Sequence, residues 1–173
     1  MELNDNMILC EANAFPRQLM QPFYSDYVGV VVCHQGMFHF RADGASFVVS
    51  AGETVFLSKG VMFQVTDTTQ ELRYTLLFYR TEQIVDMLGN TVVTMRLYST
   101  IYPSACYVMH TGYEEMLSDY AKMLSRIEGK GDTDIYSSHE HKLLLMAVTY
   151  RLCSIFSNTL KSPTKEMDRK IEI

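Results

Sequence analysis

The sequence lacks tryptophan altogether and has only four prolines and four cysteines among its 173 residues. The cysteines are Cys10, Cys33, Cys106 and Cys153. They lie far apart and form no C-x-x-C or Cys/His cluster, which argues against a zinc site and against a disulfide framework. We therefore expect reduced thiols in a cytoplasmic protein.

The sequence also lacks an excess of positive charge and any long apolar run. Fifteen Lys and Arg stand against twenty Asp and Glu, a net charge of -5, so no overall field attracts phosphate backbones. No stretch reaches the roughly 18 apolar residues of a membrane span, and Met1–Asp5 is acidic where a signal peptide is basic. We therefore expect one domain, with neither an export signal nor a membrane anchor.

What the sequence does contain in its first half is a series of short strands. Asp43-Gly44 is the dipeptide of a type I′ turn, so it predicts a hairpin of Met37–Ala42 with Ala45–Ser50. Further strands are predicted at Tyr27–Cys33, Thr54–Leu57, Val61–Thr66 and Glu71–Arg80, with turns at His34–Gly36, Ala51–Glu53 and Lys59-Gly60. Strands this short and this regularly spaced are typical of a sandwich or a small barrel.

After Arg80 the periodicity is that of helices. Thr81–Leu88 predicts a short helix, while the assignment of 91–110 stays open. A capping box at Thr111–Glu114 begins an amphipathic helix that runs to Ile127, and a second box at Ser137–Glu140 begins a helix that runs to about Asn158.

The second of these helices is apolar nearly all round, since Leu143–Val148 is an uninterrupted apolar run. One face can pack on the rest of the chain, and the opposite face then needs a cover. A second subunit is the favoured cover, and the alternative is that segment 91–110 folds over it.

Candidate chemistry is sparse. The histidines and glutamate of a metal-binding cupin are missing, because 23–28 has no histidine and Phe63 stands where the later histidine would be. His34 and His39 are predicted to lie on the surface, His139 and His141 to point apart, and His110 to lack an acidic partner. No nucleophile elbow or phosphate loop occurs. We predict no metal, no cofactor and no catalytic residues.

The barrel interior is predicted to be apolar and aromatic, which is the composition of a small-molecule pocket. Strand alternation directs inward Val31, Cys33, Phe38, Phe40, Phe47, Phe63, Leu72, Tyr74, Leu76 and Phe78. Tyr74 has the strongest hydrogen-bonding group of this set. These residues either line a pocket or fill the core.

The glycine rhythm Gly36-x7-Gly44-x7-Gly52-Glu53, the Gly60 turn and the two later helices resemble the N-terminal half of AraC-type transcriptional regulators. The resemblance implies a mainly β fold with a C-terminal α part: a cupin-like barrel (double-stranded β-helix) followed by an α-helical hairpin. It implies an N-terminal arm at 1–20, with Met7–Cys10 as its apolar part, and a barrel at 21–80. A connecting segment at 81–110, a helical dimerisation hairpin at 111–160 and a linker at 161–173 would follow. The linker would lead to a helix-turn-helix half that is absent here.

In this family the barrel binds a small effector and the helices pair two subunits. The effector residues expected here are Cys33, Phe38, Phe40, Phe63, Val65, Tyr74, Leu76 and Phe78. The dimer residues expected are Leu144, Leu145, Val148, Leu152 and Ile155. The effector would be a sugar or an aromatic metabolite, although without tryptophan a sugar cannot stack on an indole. DNA would be contacted only through the absent half. The alternatives are a metal-free, isomerase-like cupin enzyme and a pure dimerisation module.

Overall fold

The computed structural model describes residues 6–24, 26–80, 82, 106–128 and 135–161. Over these ranges the chain forms nine strands and then two helices. The strands are β1 (Met7–Ala12), β2 (Phe23–Tyr24), β3 (Tyr27–Gln35), β4 (Met37–Ala42), β5 (Ala45–Ser50), β6 (Thr54–Leu57), β7 (Met62–Thr68), β8 (Arg73–Arg80) and β9 (Cys106–Met109). The helices are α1 (Glu114–Glu128) and α2 (Ile135–Lys161).

The strands form two antiparallel sheets that face each other as a cupin-like barrel, the fold class predicted from the sequence. Sheet A has the order β1-β8-β3-β6-β9 and sheet B the order β2-β7-β4-β5. The predicted barrel of 21–80 is too short, because β1 comes from the predicted arm and β9 from the predicted connecting segment. Most of the predicted helix at Thr81–Leu88 and of the linker at 161–173 lies outside the described residues.

The β4–β5 hairpin has the predicted register. Ala42 pairs with Ala45, Phe40 with Phe47 and Phe38 with Val49. Asp43 (φ 47°) and Gly44 (φ 85°) both adopt the left-handed conformation that a type I′ turn requires. The alternation that follows from this register puts Phe38 and Phe40 in the core.

Strand β8 separates two hydrophobic cores and is buried on both faces. Tyr74, Leu76 and Phe78 point into the barrel and belong to the core between the sheets. Leu77 and Tyr79 point the other way and belong to a second core, between sheet A and the helices. Burying a side chain of this size contributes roughly 1.5–3 kcal/mol, so both cores contribute to stability.

Close packing of β3 on β8 requires a glycine in β3. Gly29 pairs with Phe78, and a Cβ at Gly29 would collide with the backbone carbonyl oxygen of Leu77. A larger residue would push apart the two central strands of sheet A.

Helix α1 begins at the predicted capping box. The Thr111 backbone N–H and hydroxyl donate to Glu114 Oε1 at 2.9 Å each, and the Gly112 N–H donates to the same oxygen at 3.1 Å. The helix then buries Leu117, Ala121 and Leu124 against sheet A. Helix α2 begins at Ile135, two residues before its predicted box, and extends to Lys161. Neither described helix has a stretch long and apolar enough to cross a bilayer.

Candidate ligand-binding site

The eight predicted effector residues lie together inside the barrel. All eight side chains are buried, with exposed fractions of 1% or less. Strand β3 contributes Cys33. The other seven are Phe38 and Phe40 on β4, Phe63 and Val65 on β7, and Tyr74, Leu76 and Phe78 on β8. Strand alternation directs seven of the eight inward, and Val65 was expected there from the family resemblance. Their binding of a ligand stays a prediction.

Aromatic rings are in contact from one end of this interior to the other. Phe15 stacks on Tyr74 with ring centroids 4.0 Å apart and planes 15° apart, and it makes a T-shaped contact with Phe38, with centroids 5.1 Å apart. Phe40 continues the series, with centroids 6.0 Å from Phe38 and 5.1 Å from Phe63. Five aromatic rings of the interior thus form one connected series.

Phe15 and Leu19 are among the interior residues that sequence reasoning missed. They belong to segment 13–20, which follows β1 without joining a strand, yet their exposed fractions are only 9% and 0%. The available signal was two large apolar residues four apart on either side of Pro16. The predicted apolar part of the arm, Met7–Cys10, is instead strand β1 at the edge of sheet A.

Three hydrogen bonds attach this segment to the barrel. The Tyr74 hydroxyl donates to the Ala14 carbonyl at 3.0 Å. The Val65 N–H donates to the Leu19 carbonyl at 2.7 Å. The Gln64 side-chain amide donates to the Met20 carbonyl at 3.1 Å.

The polar groups of the interior are neutral. Burial raises the pKa of the Cys33 thiol to about 11, and the thiol donates weakly to the carbonyl oxygens of Gln35 and Gly36. Burial also raises the pKa of the Tyr74 hydroxyl well above its usual value. At neutral pH both groups stay protonated, so they can hold a ligand by hydrogen bonds but do not supply a thiolate or phenolate nucleophile.

Two histidine predictions are wrong. His34 was predicted in a surface turn, but β3 continues through Gln35 and His34 is half-buried between sheet A and α1. Its Nε2 lies 2.8 Å from the Thr75 hydroxyl and 3.2 Å from the Ser118 hydroxyl. His110 was predicted without an acidic partner, but its Nε2 lies 3.8 Å from Glu53 Oε1. Sequence spacing could not show either contact, because each joins distant segments.

The described part of the chain contains few clustered side chains of the types that bind metals. No group of three or more His, Cys, Asp or Glu side chains there could hold a metal ion. Phe63, at the position of the later cupin histidine, lies in the packed interior with no exposed surface.

The predicted dimer residues require a correction. Leu145, Val148, Leu152 and Ile155 have exposed fractions of 3% or less and pack in the core between α2, α1 and sheet A. Leu144 is half-buried beside them. The first four side chains are therefore covered by α1 and sheet A, whereas Leu144 also lines a cleft beside α1. Helical spacing identifies an apolar face without showing what lies against it.

The opposite face of α2 is where apolar side chains are exposed. Tyr136, Leu143 and Tyr150 recur every seven residues, with exposed fractions of 79%, 65% and 45%. We call these three residues the outer stripe. Beside it, a cleft of about 420 Å³ between α1 and α2 is lined by Met123, Arg126, Ile127, Glu140, Leu143 and Leu144. The sequence-based expectation of a second apolar face on this helix is thus met by different residues.

Comparison with known proteins gives matches only among solved structures. No protein-family model matches the chain, and no curated protein does. A ToxT point variant from Vibrio cholerae strain SCE256, in its apo form, matches with a TM-score of 0.51 and 10% identity, over 89% of this chain and 58% of that one. ToxT from the same strain with bound unsaturated fatty acid matches with a TM-score of 0.49 and 10% identity, over 91% of this chain and 55% of that one.

A third solved structure is the AraC-like transcriptional activator CuxR. It matches with a TM-score of 0.47 and 16% identity, over 76% of this chain and 42% of that one. The chain thus spans little more than half the length of ToxT, and less than half that of CuxR. At 10% identity the ToxT match shows a shared fold: a β-barrel with helices, as the resemblance noted in the sequence implies.

Proposed function

We propose that this chain is the ligand-sensing and dimerisation domain of a bacterial, cytoplasmic transcriptional regulator of the AraC type. The observation that supports this most directly is that one sheet has the barrel interior on one face and the helical pair on the other. The glycine rhythm at Gly36, Gly44, Gly52 and Gly60, each with positive φ at a turn, and the fold shared with ToxT support the same assignment.

The effector in this proposal binds inside the barrel. The lining is aromatic and neutral, with the Tyr74 hydroxyl as its main donor, and this favours a small, largely apolar molecule over a sugar. Sugars need several hydrogen-bonding partners, because burying an unpaired hydroxyl is costly.

The relay in this proposal is a population shift across sheet A. Strand β8 has Tyr74 and Leu76 in the barrel and Leu77 and Tyr79 against the helices, so a change in barrel packing alters the surface on which α1 and α2 rest. An effector that binds one arrangement more tightly favours that arrangement by its difference in affinity. A helix-turn-helix domain attached after α2 would respond to that change.

Dimerisation in this proposal uses the outer stripe of α2. The seven-residue spacing of Tyr136, Leu143 and Tyr150 is the repeat that two packed helices share, and a symmetric dimer brings the same stripe from each copy together. Leu143 also lines the cleft beside α1, so the stripe adjoins a cleft in which Arg126 and Glu140 stand beside apolar side chains, and a second copy would cover both.

The proposal is tested on the gene. The coding sequence after codon 173 is read first, and we expect two helix-turn-helix motifs there. The purified full-length product is then titrated onto its own promoter DNA with and without a metabolite library. A continuation into an unrelated domain, or DNA binding that no metabolite alters, would contradict the regulator assignment.

A second candidate is a pure dimerisation module, and the packing of the interior favours it. Phe15 and Leu19 occupy space between the sheets that a pocket would need. This candidate predicts that no metabolite raises the melting temperature. A sensor predicts a rise, since a ligand at 100 times its dissociation constant adds about 2.7 kcal/mol.

A further inference from the structure

The Phe15 ring lies in the barrel as a bound ligand would. Its face is stacked on Tyr74, it makes a T-shaped contact with Phe38, and the neighbouring Ala14 carbonyl accepts the Tyr74 hydroxyl hydrogen bond at 3.0 Å. A flat ring and a hydrogen-bond acceptor are thus held together on one tyrosine. Both belong to a segment without strand pairing, between β1 and β2.

We propose that Phe15 and the Ala14 carbonyl occupy an aryl-binding subsite of the barrel, and that the ligand for this subsite is a neutral aromatic molecule with a hydrogen-bond acceptor on its ring. The inference rests on the proposed function, since it names the ligand class of the same interior. Binding replaces the Phe15 ring with the ligand ring and the Ala14 carbonyl with the ligand's acceptor.

The segment can leave the barrel without breaking a sheet. Its attachments are the three hydrogen bonds from Tyr74, Val65 and Gln64 and the burial of two side chains. On its N-terminal side the pairing of β1 with β8 is irregular after Leu9, and Glu11 there has φ 50°. Such a break in pairing lets the chain change direction between β1 and the segment.

The class of ligand follows from the side chains of the subsite. Phe15 and Phe38 pack near the Tyr74 ring, and both are uncharged. A carboxylate ligand would lose its hydration there without gaining a cation, so a neutral acceptor such as a ketone is favoured. The Tyr74 hydroxyl then keeps a hydrogen bond in the free and the bound forms.

The experiment uses acetophenone, which has a ring and one acceptor, and toluene, which has the ring alone. Dissociation constants are measured by NMR titration for the wild-type chain, Phe15→Ala and Phe47→Ala. Phe47 is the matched control, since its ring stacks on Phe40 at 4.9 Å in the same core but comes from strand β5. We expect Phe15→Ala to bind acetophenone at least tenfold more tightly than the wild type, and Phe47→Ala to match the wild type.

The hydrogen bond is tested separately. In the Phe15→Ala background, Tyr74→Phe should remove the preference for acetophenone over toluene, because the donor is gone. A preference that survives this change would overturn the assignment of Tyr74 as the donor. Equal affinities of folded Phe15→Ala and Phe47→Ala for acetophenone would overturn the subsite.

A second measurement needs no variant. Trypsin cleavage after Arg17, which is exposed within the segment, is compared with cleavage after Arg41 on strand β4. Acetophenone at saturation should accelerate cleavage at Arg17 several-fold and leave Arg41 unchanged, because only the segment is released. An unchanged or slower rate at Arg17 would overturn the inference. Failure of these tests, with an effector still altering DNA binding by the full-length product, leaves the proposed function intact with its ligand elsewhere.

Discussion

Helix α2 offers a matched pair of leucines, two residues apart on opposite faces. Leu145 has an exposed fraction of 1% and lies in the core beneath the helix, whereas Leu143 has 65% and belongs to the outer stripe. We expect Leu145→Ala to destabilise the protomer and Leu143→Ala to weaken only the association of two copies. Both substitutions remove the same atoms and change the helix propensity equally. Any difference between their effects on stability therefore comes from the surroundings of the two side chains.

The size of the effect follows from burial. Leu-to-Ala at a fully buried site costs about 2–5 kcal/mol, because the side chain leaves a cavity that the surroundings fill only in part. For a domain of this length that is roughly 4–20 °C in melting temperature, at 2–4 °C per kcal/mol. A surface substitution such as Leu143→Ala changes protomer stability by about 0.5 kcal/mol or less.

The assay is thermal unfolding at two protein concentrations a hundredfold apart, with sedimentation equilibrium for the association state. The wild type should melt higher at the higher concentration, because dimerisation stabilises the folded form. Leu145→Ala should melt lower at both concentrations. At both concentrations, Leu143→Ala should have the melting temperature of the wild type at the lower concentration. Equal losses from the two variants would refute the assignment of the two faces, as would a loss below about 1 kcal/mol for Leu145→Ala.

Three further predictions concern the barrel and its surroundings. Tyr74→Phe should lower the free energy of unfolding by about 1 kcal/mol, since it removes the hydrogen bond to Ala14, and should speed tryptic cleavage in 13–20; chemical denaturation and a cleavage time course check this, and an unaltered rate contradicts it. Burial lowers the pKa of His34 below its usual 6.5, so the folded state binds fewer protons and stability should fall as the pH drops below about 6.5. Urea unfolding at pH 7.5 and 5.5 measures this fall in stability. The fall should be smaller in His34→Gln, in which only the contributions that Glu11 and the other histidines make in both proteins remain. Gly29→Ala should prevent folding because of its backbone collision, as circular dichroism would show, and a native spectrum would disprove the close packing of β3 on β8.

The sequence predicted best where the pattern is local. The register of the β4–β5 hairpin follows from the φ angles that Asp43-Gly44 adopts, and the capping box at Thr111 follows from its own spacing. The inward set from Cys33 to Phe78 follows from alternation along strands whose ends are marked by turns. In each case neighbouring residues contain all the information.

Sequence-based prediction failed where the structure depends on contacts between segments that are distant in the chain. Helix α2 has apolar residues on two of its faces. Only the position of sheet A decides that Leu145 is buried and Leu143 is exposed. Phe15 comes from a stretch with no periodicity, so its place against Tyr74 is set by the space left between the sheets. His34 and Ser118 are distant in sequence and meet because α1 packs on β3.

The two sheets differ in the length of chain that each needs before it is complete. Sheet B draws its four strands from Phe23–Thr68, with a two-residue turn between β4 and β5. Sheet A pairs Met7 with Phe78 and Thr54 with Met109, contacts that close long loops and form slowly. During synthesis sheet B can therefore assemble once residue 68 has left the ribosome, while the apolar strands β3 and β6 wait for β8 and β9. Until residue 109 has emerged, the nascent chain therefore exposes unpaired apolar strand edges, which are the features that favour aggregation.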